Sequence, residues 1–205
     1  MYYRVPAIAL IMILMIAAPG AATTVEVETA DGAMTLVASD ILVLGNGFVA
    51  TGSARIKWVD PVRKAILNAE AKKITVTIAN EQPPAATASA KGAKTARPRT
   101  VIKSAVLAGP VKMTYVTTGP NGKSTITANA NNADFDGRTN LARLTGNVKI
   151  VNDDPALFSV PATMTGDKAT VNLKPVGPED FRFRVETAEP GTSTITATPR
   201  ARKAE

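Results

Sequence analysis

The chain has 205 residues and a formal net charge of +7, and it contains neither cysteine nor histidine. Those absences exclude disulfides, thiolate chemistry, a Ser-His-Asp triad and a His-based zinc site. Hydrophobic residues make up 45% and aromatics only 4%, so the chain can fill one domain-sized core, and that core is aliphatic.

In chain order, the first segment reads as an address. Arg4 precedes an apolar run from Val5 to Ala18, and Pro19 and small residues follow. That order is a secretory signal peptide over residues 1–22, with cleavage after Ala22. The alternative is an inner-membrane anchor through uncleaved residues 5–18, although a span usually needs about 20 apolar residues. Export makes the mature chain, from Thr23, periplasmic and removes nucleic acid as a partner. The positive charge then points to lipid or glycan phosphates, or simply to solubility.

From Val25 onward, period-two alternation replaces any helical pattern. Residues 23–80 form a first β half and residues 101–198 a second. Thr75-Val76-Thr77-Ile78, Val111 to Tyr115 and Phe181 to Val185 alternate clearly. Gly45-Asn46-Gly47, Gly119-Pro120-Asn121-Gly122, Asp136-Gly137 and Pro190-Gly191 punctuate the strands, since glycine and asparagine supply positive φ. Residues 81–100 are rich in Ala, Pro, Lys and Thr without a period, and read as a disordered loop or linker. Residues 199–205 read as a flexible tail.

The halves repeat one another. Gly52 to Pro61 aligns with Gly146 to Pro155, and Ala71 to Ile78 aligns with Gly166 to Leu173. Weaker copies start at Gly109 and at Phe181. The unit is a strand, a turn and a returning strand. One hairpin cannot bury its own apolar face, whereas stacked units can. The expected fold is therefore all-β: stacked antiparallel hairpins or a jelly roll, after an N-terminal signal helix.

Alternation sorts the strands into faces. Ile56 and Trp58, Val111, Met113 and Tyr115, Val148 and Ile150, and Phe181 and Phe183 share one face of the first strands. Ile74, Val76, Ile126 and Val171 continue it on the returning strands. Arg55, Lys57, Lys112, Lys149, Arg182 and Arg184 take the other. The apolar set is either a filled core with soluble lysines outside, or the wall of a channel for acyl chains. Core-facing and lipid-facing residues look alike in sequence.

Residues 128–173 resemble the OstA-like repeat of periplasmic lipopolysaccharide-transport proteins of the LptA and LptC type. Gly146-Asn147-Val148-Lys149-Ile150 and Gly166-Asp167-Lys168-Ala169 carry the resemblance, and residues 51–58 echo it. The resemblance implies a β-jelly roll with an apolar interior that shelters lipopolysaccharide or a related glycolipid. It implies partners joined through edge strands, as bridge proteins or as head-to-tail copies of the chain. The role is that of a bridge or of an inner-membrane-anchored partner. Each CH₂ sheltered is worth about 0.8 kcal/mol, so one chain of about 12 carbons costs roughly 10 kcal/mol to expose.

No cofactor or metal is expected. Asp134 with Asp136, and Asp153-Asp154, lack the spacing of a calcium loop and suit turns. No carboxylate pair stands out for glycoside hydrolysis. The expected function is non-enzymatic lipid sheltering during transport to the outer membrane. The alternative is a structural or adhesive β-repeat protein of the envelope without lipid cargo.

Overall fold

The computed structural model describes residues 22–30, 32–81, 99–119, 122–174, 182–187 and 191–200. All but the last residue of the signal peptide read over 1–22, and most of the proposed linker, therefore lie outside the described residues. Every described element is a strand: β1 (Thr23–Thr29), β2 (Gly32–Ala38), β3 (Asp40–Leu44), β4 (Gly47–Asp60), β5 (Ala65–Glu81), β6 (Arg99–Gly119), β7 (Gly122–Asp136), β8 (Leu141–Asp153), β9 (Phe158–Asn172), β10 (Phe183–Glu186) and β11 (Thr194–Pro199). They form one antiparallel sheet in the order β1-β2-β4-β5-β6-β7-β8-β9-β10, with β3 on β4 and β11 on β9. Sequential hairpins of this kind follow from short Gly, Asn and Asp turns between alternating runs.

Long strands in one sheet need a way to enclose a core. Here a row of bulges crosses the sheet. The ladder slips between Thr51 and Ala54 in β4, between Glu70 and Lys73 in β5, and between Ala108 and Val111 in β6. It slips again between Asn129 and Asn132 in β7 and between Thr145 and Val148 in β8. Gly52, Gly109 and Gly146 sit on this row with φ of 76°, 92° and 76°. A β-bulge bends its strand and sharpens the local twist. A whole row of them folds the sheet into two facing layers.

The row also rephases the pattern. In β5 the buried positions Ala65, Ala69 and Ala71 give way to Ile74 and Val76, so Lys72 is the extra residue that keeps both halves apolar inside. β7 does the same, from Ala128 and Ala130 to Ala133. Without these insertions, one half of each strand would turn its apolar side to water.

The interior is aliphatic, as the composition requires. Phe48, Met34, Leu36, Ile74, Leu144 and Ile150 are fully buried. Each contributes about 1.5–3 kcal/mol through burial. The layers are also clasped by hydrogen bonds. The Tyr115 hydroxyl on β6 donates to the carbonyl of Leu173 beyond β9, at 3.2 Å. The Ala30 N–H, in the β1–β2 turn, donates to the carbonyl of Thr100 at 2.7 Å.

Some boundaries differ from the expectation. Glu81 ends β5, and Arg99 and Thr100 open β6, with Glu81 and Arg99 in register. Gly109-Pro110, read as the start of a repeat copy, lies inside β6. Proline is tolerated there because the bulge needs no ladder hydrogen bond.

Candidate functional site

The interior is not filled throughout. A cavity of about 880 Å³ lies between the layers. From one layer, Ile56 and Trp58 on β4, Leu67 and Ala69 on β5, and Met113 on β6 line it. The other layer supplies Val101, Ile102, Ala105 and Leu107 from β6, Ala133 and Phe135 from β7, Ala142 from β8, and Leu173. These two sets give the cavity a mainly apolar wall. Its volume falls in the range of about 300–1,000 Å³ that encloses a small ligand.

The rim is charged. Arg99, Lys103, Arg138 and Lys174 reach it, together with Glu81, Asp134 and Asp136. Two of the carboxylates are already engaged. Asp134 pairs with Arg143 at 3.5 Å. Asp136 accepts the backbone N–H groups of Arg138, at 2.9 Å, and Thr139. Those bonds, the Arg138 N–H first, hold its carboxyl below the usual carboxylate range.

One end of the interior is polar. Asp60 is buried; it accepts the N–H groups of Val62 and Arg63 and pairs with the Arg63 guanidinium at 2.8 Å. Asp154, at the matching place in the repeat, accepts the Ala156 N–H and pairs with Arg182. These aspartates form turns, and among the described residues no acidic cluster could hold a metal ion. Burial raises the Tyr115 phenol above its ordinary value, Arg63 lowers it, and Asp60 raises it further.

The candidate residues divide into three groups. Ile56, Trp58 and Met113 line the cavity. Ile74, Val76, Val111, Tyr115, Val148, Ile150 and Val171 are buried in the core away from it, and Ile126 and Phe183 pack against that core. Phe181 lies outside the described residues. Sequence reasoning missed Leu67, Val101, Ile102, Leu107 and Phe135. The signal for Leu107 and Phe135 was present: Leu107 keeps the phase of Ala105 before Gly109, and Phe135 that of Ala133 at the end of β7, whereas Ile102 is out of phase with Leu107 and lies beyond a register shift.

No family model matches the sequence, and no curated protein matches it. Among solved structures, the chain superposes on LptH of Pseudomonas aeruginosa, described as the LptA-homologous periplasmic component of the conserved lipopolysaccharide transport device. The fold is LptA-like. The TM-score is 0.50 at 11% identity, over 82% of this chain and 95% of LptH. A likeness at that identity speaks for architecture alone.

Proposed function

We propose that this chain is a periplasmic scaffold that shelters the acyl chains of lipopolysaccharide, or of a related glycolipid, on the way to the outer membrane. The observation that carries the reading is the apolar cavity between the layers with its charged rim. An acyl chain entering it exchanges water for Trp58, Leu67, Met113, Leu107 and Phe135. At about 0.8 kcal/mol per CH₂, burying eight or nine methylenes contributes roughly 7 kcal/mol. Arg99, Lys103 and Arg138 at the rim suit phosphates left in water. The task makes and breaks no bond, in keeping with a chain that has neither histidine nor cysteine. The LptA-like fold supports the same reading. So does the segment 128–173, whose Gly146-Asn147 lies on the bulge row that folds the sheet.

The outer strands β1, β3, β10 and β11 would join partner strands, whether other bridge proteins or further copies of the chain. Mass spectrometry of gently purified protein tests the cargo. A bound glycolipid is expected, and its loss is expected in Trp58→Glu and Phe135→Glu. Both residues are only partly buried, so the fold tolerates the charge. A protein that stays lipid-free and also fails to bind lipid on titration would favour a purely structural envelope role.

A further inference from the structure

In an antiparallel sheet, alternate turns lie on opposite edges. The β4–β5, β6–β7 and β8–β9 turns therefore share one edge, and the β5–β6 and β7–β8 connections share the other. Folding along the bulge row brings the two edges towards each other: Tyr115, near the β6–β7 turn, donates to the carbonyl of Leu173, just past the far end of β9. Trp58 and Leu67, a cross-strand pair just inside the β4–β5 turn, line the cavity.

That turn carries Val62, the most exposed large apolar side chain described, at 87%. The matching β8–β9 turn carries Leu157, 45% exposed. Each turn is built rigidly, by Asp60 and Asp154 accepting backbone N–H groups. An aliphatic side chain held in water at the apex of a braced turn gains nothing for the fold.

Cations surround these apices. Lys64 lies two residues beyond Val62, Arg63 between them is held by Asp60, and Lys123 lies at the start of β7 on the same edge. Arg99, Lys103 and Arg138 stand on the facing edge. The neighbouring carboxylates are largely committed. Asp60, Asp134 and Asp154 are paired with arginines, Asp136 is bound by backbone N–H groups, and Glu81 faces Arg99 across the ladder. Asp153 and Glu28 are exposed.

We infer that this edge docks on an anionic phospholipid bilayer, with Val62 and Leu157 entering the interface and the cations meeting headgroup phosphates. Apolar side chains inserted beside basic ones are what interfacial binding needs. The docked orientation turns the cavity mouth to the membrane. The surface itself does not depend on what the cavity holds.

Cosedimentation of the full chain with vesicles tests the inference. One set is phosphatidylethanolamine with phosphatidylglycerol, the other phosphatidylcholine alone. Binding should favour the anionic vesicles and fall steeply as salt rises. Val62→Asp with Leu157→Asp should weaken it by about tenfold or more. Val106→Asp is the control, an apolar side chain on an outer face about as exposed as Leu157, and it should bind as the parent does. The cavity variant Phe135→Glu should also bind, which separates this inference from the cargo reading. Equal binding to both vesicle types would overturn the inference. So would equal binding by parent and double variant, equal loss in the Val106→Asp control, or no binding at all.

Discussion

If a row of bulges folds the sheet, its glycines should tolerate a methyl group less well than the surface around them, and for a stated reason. Consider Gly146→Ala. The φ of 76° is in the left-handed region, which costs an L-residue about 1–2 kcal/mol. The new Cβ would lie 2.6 Å from Asn131 Nδ2 and 3.0 Å from its Cβ. Asn131 is exposed, so its amide can swing away, and the crowding that stays is with its Cβ, a few tenths of an ångström too near. The total should be about 1–2 kcal/mol, or roughly 2–8 °C in Tm for a domain of this size. Gly47→Ala is the contrast. There the methyl would meet the backbone carbonyl of Val76 at 2.0 Å. A strand in mid-sheet cannot step aside, so the cost should reach about 3 kcal/mol or more. Urea unfolding of both variants and of Gly146→Ala with Asn131→Ala supplies the numbers. The double variant should recover only the small crowding part. A neutral Gly146→Ala, or a full recovery on removing Asn131, would refute the reasoning from backbone strain.

Three further outcomes are expected. Asp60→Ala should cost about 2–3 kcal/mol in urea unfolding, since it strips two backbone N–H groups and a guanidinium of their acceptor. Tyr115→Phe should cost about 1 kcal/mol near neutral pH. The folded phenol titrates above its ordinary value, so its contribution is whole below about pH 10 and is lost as pH rises through the folded value. The parent should therefore lose more stability in strong alkali than Tyr115→Phe does, and parallel alkaline profiles would contradict this. Asp136 is shifted the other way. Its contribution is present above the ordinary carboxylate range and lost as pH falls through the lowered folded value. Asp136→Asn should accordingly flatten the acid limb of a Tm-against-pH profile.

The all-β character was legible because Val, Ile and Thr alternate and Gly-Asn turns separate the runs. The inward faces were legible too: Ile56, Val111, Val148 and Ile150 are buried where alternation puts them. The bulge row was not. An extra Lys72 or Asn131 looks like a lapse in the pattern until the neighbouring strands are seen to slip at the same level. Gly109-Pro110 read as the start of a repeat copy, yet β6 runs through it without a break. The cavity was least legible. Leu107 and Ile74 are both buried aliphatics and are cross-strand partners, but only Leu107 lines the cavity. What separates them is their place in the folded sheet, which no single strand encodes.

The central claim is that an acyl chain occupies the space between the layers. Photocrosslinking in cells tests it most directly, with a photoreactive residue at Leu107, at Phe135 or at Val106. Val106 is the neighbour of Leu107 in sequence but sits on the outer face, 49% exposed. The account predicts lipid captured at Leu107 and Phe135 and none at Val106. No capture at either cavity position, or equal capture at Val106, would contradict it.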